Sequence, residues 1–398
     1  MIDTRAQVLI LELHRYSLTI ARSLARVNFH TILGVTENSN HRHFEKSRYV
    51  SEIWKHPPLH ENTEFYQALQ QFLKEKPNIR AIFPAGERAL GSLWGRKDYN
   101  TRPVLVMCSE SIAKCCLNKW TSIEIARKAG LPVLETKYVW NSNELRDAVR
   151  EIGLPVAIKP SYAGHFIDGK KCIFIESEQQ LSLFSWPNFV DEIGLIIQPM
   201  FMGYRHNCMF IAKEGVVISY FESRVDRTDA DNGTGYSVES VSVEPSKIRR
   251  KYVESLIRNL NYSSLGCAQF IVCPETNNMA FLEINPRIDA TCELPVVLGF
   301  NYPAWSVQQA LKKSQDYEWP ENYQTGVKHT WTLGALEAWH DSLKDSSFIK
   351  NLVDFGKIMM RCLTSRAHAT FELRDPLPTL SMYIDRAHSL VLKILNVK

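Results

Sequence analysis

Along the first hundred residues the spacing of hydrophobic positions switches repeatedly between two periods. Val8–Leu13 is a short apolar run that reads as a buried strand, after which Leu18, Ala21, Leu24 and Ala25 recur at helical spacing. The same alternation predicts strands over Thr31–Val35, Ile79–Phe83 and Pro103–Met107. Helices are predicted through Phe65, Leu69, Phe72 and Leu73 and over Ala85–Trp94. Strand and helix in turn point to a parallel sheet covered on both faces. The first strand-to-helix turn, Glu12-Leu13-His14-Arg15-Tyr16-Ser17, has none of the glycines that let a backbone approach a pyrophosphate, so this region reads as a scaffold and not as a dinucleotide site.

The texture then changes. Lys119–Ala129 predicts an amphipathic helix stopped by Gly130-Leu131-Pro132. Strand Val133–Val139, helix Ser142–Ile152 and strand Pro155–Lys159 follow. From 194 to 285 the pattern is mostly paired strands: Leu195–Gln198, Cys208–Ala212, Val216–Ser223, then Leu265–Val272 and Met279–Ile284 flanking a hairpin turn. A helix near Ser246–Leu260 interrupts them. Helical patterns return over Leu336–Met360 and Leu380–Leu395. The expected division is an α/β domain (1–115), two α+β segments (116–193 and 194–314) and a helical appendage (315–398).

Composition supports this. A chain of 398 residues, 45% apolar and 23% charged, is globular and long enough for two or three domains. The net charge of +4 does not call for a nucleic-acid partner. No apolar run reaches the roughly 18–20 residues of a membrane span, so no membrane partner is expected. The start, Met1 to Gln7, reads as the approach to a first strand and not as a signal peptide. Nine cysteines without a CxxC pair read as reduced, mostly buried thiols of a cytoplasmic protein.

The chemistry concentrates in Phe281-Leu282-Glu283-Ile284-Asn285-Pro286-Arg287. On a strand Glu283 and Asn285 share one face, Leu282 and Ile284 the other, and Arg287 lies just past the end. Gln269, on the preceding strand, is expected close to Glu283. One carboxylate and two amide oxygens suit Mg²⁺, which leans on a nucleotide's phosphates for its remaining ligands. Lys159 ends an apolar strand and opens a loop, Ser161 to Lys171, whose backbone N–H groups can face phosphates. Lys119 starts a helix. Taken singly, each feature also fits a polar hairpin or a solvated lysine. His41-Arg42-His43 reads as a solvated loop. Asp226 to Gly233 lacks the twelfth-position glutamate of a calcium loop. Lys247-Ile248-Arg249-Arg250-Lys251 reads as a solvated basic face, and Trp186, Trp305, Trp331 and Trp339 as core or interdomain contacts.

The order of these pieces resembles a known family. Lys119, Gly130-Leu131-Pro132-Val133, the run Leu154 to Tyr162, Ile196-Ile197-Gln198-Pro199-Met200, Gln269, and Glu283-Ile284-Asn285-Pro286-Arg287 together resemble the ATP-grasp superfamily. Within it they look most like the carboxylate–amine ligases related to the large subunit of carbamoyl-phosphate synthetase. The resemblance implies an ATP-grasp fold behind an N-terminal parallel-sheet domain, with ATP and Mg²⁺ (or Mn²⁺) as cofactors. It implies that Lys119 and Lys159 contact ATP phosphates, with Ser161 opening the phosphate loop. Gln198, Pro199, Met200 and Phe201 would form the hinge at the adenine edge, over Leu282. Gln269, Glu283 and Asn285 would hold metal. Arg287 would meet the transferred phosphoryl group, and Arg224 with Gly233-Thr234-Gly235-Tyr236-Ser237 a substrate carboxylate. The implied partners are a small carboxylate or amino acid, an amine and at most a second copy of the chain. His165, Phe166 and Ile167 stand where the family commonly has glycines, and Gln198 where it commonly has glutamate. A noncatalytic nucleotide-binding subunit and a small-molecule phosphotransferase are therefore the other two readings.

Overall fold

The computed structural model describes residues 6–36, 42–59, 63–95, 103–230, 232–312, 320, 322–343 and 347–394, with side chains described as far as 388. It separates into two compact units. One joins the two ends of the chain, 1–107 with 287–398; the other is the continuous segment 108–286.

The first unit holds a five-stranded parallel sheet: β1 (Gln7–Leu11), β2 (His30–Thr36), β3 (Glu52–His56), β4 (Ile79–Pro84) and β5 (Val104–Leu105), in the order β3-β2-β1-β4-β5. Parallel strands covered on both faces must be apolar throughout, and β1 and β2 are almost entirely buried. Helices Arg15–Ala25 and Thr63–Glu75 follow β1 and β3, as the spacing predicts. The helix after β4 is shorter than the Ala85–Trp94 pattern, Glu87–Ser92, and β5 covers only two residues. Strand β3 was not predicted, because Glu-Ile-Trp-Lys-His looks polar; yet Trp54 is buried and stacks on Phe72, ring centroids 4.6 Å apart.

In the second unit, β6 (Lys137–Val139), β7 (Val156–Pro160), β8 (Ile173–Ile175) and β9 (Leu195–Pro199) form an antiparallel sheet in the order β6-β9-β7-β8. Helix Ser142–Ile152 covers it through Leu145, Ala148 and Val149. The predicted strand over Val133–Val139 shrinks to β6, because the Thr136 hydroxyl already bonds the Leu134 carbonyl and pairing starts only at Lys137. A longer antiparallel array follows: β10 (Tyr204–Lys213), β11 (Val216–Thr228), β12 (Ser237–Ser242), β13 (Ser264–Val272) and β14 (Met279–Asn285), in the order β14-β13-β10-β11-β12. Helices Glu110–Leu117, Lys119–Lys128 and Lys247–Leu260 also belong to this unit. Arg249 at the start of the last one is not a solvated charge: its guanidinium turns inward to Glu222, which is fully buried, at 2.6 Å.

The C-terminal part completes the first unit. Strands β15 (Lys328–Thr330) and β16 (Ala367–His368) pair in parallel, among helices Glu293–Val297, Tyr302–Ala310, Thr332–Ser342, Phe348–Thr364 and Leu377–Ile394. Where one helical stretch over Leu336–Met360 was expected there are two helices, the second capped by the Ser347 hydroxyl. Asp375 binds the two ends of the chain together. Its carboxylate accepts from Arg22 Nε at 3.0 Å, Ser47 Oγ at 2.6 Å and the Arg48 backbone at 3.0 Å.

Candidate functional site

Cross-strand partners in an antiparallel sheet point to the same face, so register decides which polar groups meet. Ser223 on β11 pairs with Asn207 on β10, Asn207 with Gln269 on β13, and Gln269 with Glu283 on β14. Four polar side chains thus form one row across four strands. Asn285 adds to it two residues along, opposite Cys267, and its amide donates to Glu283 Oε1 at 3.1 Å. Asn207, Ser223, Gln269 and Asn285 are all buried. Burying such a row is costly unless its groups are paired or face a polar ligand. The register also contains a bulge: Gln269 pairs with Glu283 but Phe270 with Phe281, so Leu282 is left between them without a cross-strand partner.

Charge gathers at the same row. Burial pushes the Glu283 carboxyl up, but the Lys119 ammonium, the Asn285 amide, Lys171 and the Arg205 guanidinium outweigh it and hold the group below the usual carboxylate range. These cations come from three elements. Lys119 opens its helix, and its backbone N–H donates to the Ser161 carbonyl at 2.7 Å; Ala163 N–H likewise donates to Leu117 O at 2.9 Å. That bridging draws the helix start alongside the loop after β7. Lys171 closes the loop, its ammonium 3.4 Å from the Tyr236 ring centroid. Arg205 lies two residues before Asn207 on β10 and donates to the Gly235 carbonyl at 3.2 Å. Sequence reasoning gave no role to Arg205 and Asn207, and took Lys171 and Tyr236 only as members of the 161–171 and 233–237 loops. The i, i+2 spacing of Arg205 and Asn207, which matches that of Glu283 and Asn285, was the available signal.

Lys159 lies on β7 of the four-stranded sheet. Its ammonium donates to Gln198 Oε1 at 2.9 Å, and Gln198 Nε2 donates to Thr136 Oγ1 at 3.0 Å. The glutamine satisfies the lysine without cancelling its charge, as a glutamate would. Burial pushes up the thiol of Cys172, while Lys159 and Lys119 oppose the shift, so both lysines act on one spot. Ser161 is fully buried, with its hydroxyl bonded to the Ile193 carbonyl. The glycine-poor loop has a structural reason: Ile167 is fully buried in the apolar core of the small sheet, while Gly164 and Gly169 take the positive φ values its turns need, 87° and 74°. At the hinge, Gln198 is buried, Pro199 and Phe201 are part-buried, and the Met200 N–H donates to the Pro155 carbonyl at 3.0 Å.

Arg224 is part exposed; it donates to Asp226 at 3.0 Å and lies 5.1 Å from the Tyr204 ring centroid. Beside it, Asp229 closes the turn carrying Gly233 to Tyr236, accepting the Tyr236 N–H at 2.6 Å. Asp231 and His41 lie outside the described residues. His43 sits 3.0 Å from an Asp385 oxygen, a contact that holds the last helix.

Arg287 belongs to the first unit and is fully engaged there. Its Nε and Nη2 both reach Glu87 Oε1, at 2.9 and 2.6 Å, and Nη1 donates to the Ile288 carbonyl at 2.9 Å. Burial alone would raise the Glu87 carboxyl; the Arg287 guanidinium prevails and holds it at about 2. Glu87 opens the helix that follows β4, and the Glu12 carboxylate, from the end of β1, accepts the Ala89 N–H of that helix at 2.9 Å. The place where a glycine-rich turn would admit a phosphate is occupied by a carboxylate, in keeping with the scaffold reading.

No family model matches the chain. In sequence it is 24% identical over 229 residues to the carbamoyl phosphate synthase large chain of Thermotoga petrophila, covering 54% of this chain and 20% of the relative. It is 25% identical over 219 residues to urea amidolyase of Saccharomyces cerevisiae, covering 50% of this chain and 11% of that protein. The chain thus spans about a fifth or less of these relatives' length. In structure it is similar to the biotin carboxylase domain of Hydrogenobacter thermophilus 2-oxoglutarate carboxylase, solved with MgADP and bicarbonate. That match has a TM-score of 0.65 at 17% identity, over 81% of this chain and 73% of that one. N5-carboxyaminoimidazole synthetase from Staphylococcus aureus, solved with ADP, gives 0.63 at 14% identity, over 85% and 86%. The chain therefore has an ATP-grasp fold and is similar in sequence to part of the large chain of carbamoyl phosphate synthase.

Proposed function

We propose that the chain is an ATP- and Mg²⁺-dependent ligase that joins a small carboxylic acid or amino acid to an amine and releases ADP and phosphate. The observation that carries this reading is the polar row ending at Glu283, with Lys119, Lys171 and Arg205 acting on its carboxylate. The donor set of Gln269, Glu283 and Asn285 fits a hard cation: all three offer oxygen, and a single carboxylate leaves most of the countercharge to a ligand's phosphates. Mg²⁺ held there would supply charge neutralisation at the transferred phosphoryl group.

The remaining parts follow from the chemistry. A carboxylate is a poor electrophile until it takes a phosphoryl group as an acyl phosphate, which an amine can then displace. Such transfers depend on positioning and on cations around the moving group more than on a protein nucleophile. Lys119 and Lys159 supply positive charge from the helix start and the end of β7. Gln198 to Phe201 offers backbone groups for a base edge. Arg224 is the cation for the substrate carboxylate; Arg287, paired with Glu87 in the first unit, is left out of this reading. The small-sheet loop closed by Lys171 and Tyr236 limits water at the site.

Calorimetry of ATP with and without Mg²⁺, followed by ADP release across a panel of carboxylates and amines, tests the proposal. The expected result is Mg²⁺-dependent binding and ADP formation that requires both an acid and an amine. ATP binding without turnover on any pair would replace the ligase with a nucleotide-binding subunit. A phosphorylated product that accumulates regardless of amine would replace it with a phosphotransferase.

A further inference from the structure

Among the described residues of the first unit, helix Phe348–Thr364 carries a broad exposed apolar face. Phe348, Ile349, Leu352 and Leu363 are 81%, 75%, 62% and 77% exposed, and Val353, Met359 and Met360 are exposed as well. At 100° per residue these positions fill an arc of roughly 140° on one side of the helix, far wider than scattered surface leucines produce. The opposite side is committed. Ile358 is buried, and Trp339 Nε1 donates to the Asn351 carbonyl at 2.9 Å; Phe355, at the rim of the arc and itself part-exposed, packs on Trp339 with centroids 5.1 Å apart.

Lys357, Lys350 and the part-buried Arg361 line one edge of the arc; Asp354, the helix's single acid, pairs with Lys357 at 3.0 Å and leaves the edge net positive. The last helix adds Leu377, Leu380 and Ile384, all exposed, at i, i+3 and i+7 along one of its faces. A broad apolar face bordered by lysine and arginine has the chemistry of a helix that lies in a membrane interface. No described helix is long and apolar enough to cross a bilayer, so the helix would lie along the surface. Pairing of this face with a second copy would bring two basic edges together with one acid each to offset them, whereas an anionic surface neutralises them. We propose that this face docks the protein on anionic lipid, with Phe348, Ile349, Leu352 and Leu363 entering the headgroup boundary and Lys350 and Lys357 meeting lipid phosphates.

Co-sedimentation of the full chain with phosphatidylcholine vesicles, with and without phosphatidylglycerol, tests this. The expected result is pelleting with the anionic vesicles only, weakened by salt. Leu352→Glu combined with Leu363→Glu should reduce binding by roughly tenfold or more. Lys350→Gln should reduce it by about fivefold. Both variants change solvent-facing side chains, so their thermal melting should match the parent's, which separates lost docking from lost folding. Absence of pelleting, or equal pelleting with neutral vesicles, overturns the proposal. So does a dimer in light scattering that Leu352→Glu splits, which would give the face to a second copy.

Discussion

Replacing Glu87 with glutamine removes the countercharge of Arg287 while keeping side-chain shape. Both groups are mostly out of water, with side-chain exposures of 26% and 14%, and the guanidinium places two N–H groups on one carboxylate oxygen. A carboxyl held at about 2, against an ordinary value of 4.5, contributes roughly 3–3.5 kcal/mol at neutral pH, at about 1.4 kcal/mol per pH unit. Because the folded-state value is depressed, that stability is fully present above the unfolded value and is lost as pH falls from about 4.5 towards 2. The variant should therefore be less stable than the parent at pH 7 by about 2–3 kcal/mol. The difference should shrink through that acid window, where the parent's own carboxyl is protonated. Urea unfolding of both proteins between neutral pH and pH 2 measures it. Hydrogen exchange in β1 and β4 would keep the readout on the first unit, since a chain of two compact units need not unfold in one step. No deficit at neutral pH, or one that persists unchanged at the acid limit, would refute the ion-pair account.

Three further perturbations follow. Glu283→Gln should lower ADP release by roughly 10²–10³-fold with circular dichroism unchanged, because it removes charge at the proposed phosphoryl site. Burial holds the His329 imidazole far down, at about 3; the stability this contributes is present above pH 6.5 and is lost as pH falls from there towards 3. His329→Leu should flatten that part of the stability profile, measured as melting temperature against pH. At Gly203 a Cβ would sit 2.3 Å from the Val272 carbonyl oxygen, so Gly203→Ala should lower stability by roughly 1–3 kcal/mol, seen as an earlier thermal transition.

The parallel sheet was legible because buried parallel strands are written as unbroken apolar runs, as in Val8–Leu11. The pairing of Gln269 with Glu283 was legible because hairpin length fixes register locally. The bulge that detaches Leu282 was not, since nothing in the spacing of Leu282 and Ile284 marks an extra residue. Strands β3 and β12 escaped because their buried positions carry His56, Ser240 and Ser242, side chains that look solvent-facing on paper. The role of Arg205 and Lys171 beside Glu283 escaped for a different reason: it depends on which carboxylate they approach across the fold. The expectation of no membrane partner rested on the absence of a spanning segment, and the surface docking proposed for Phe348–Thr364 is a separate question that hydropathy alone does not address. The binding of Arg22 to Asp375 across 353 residues left no local trace at all.

That union of the chain's two ends has a consequence for biosynthesis. The first 107 residues leave the ribosome long before the segment from 287 onward that completes their unit, while residues 108–286 can close on themselves in between. At roughly 5–20 residues per second, the early sheet waits on the order of ten seconds or more for the carboxylate that Arg22 needs. During that interval its apolar helix faces are uncovered, so the interval before residues 287–398 arrive is the stage at which chaperones would matter most.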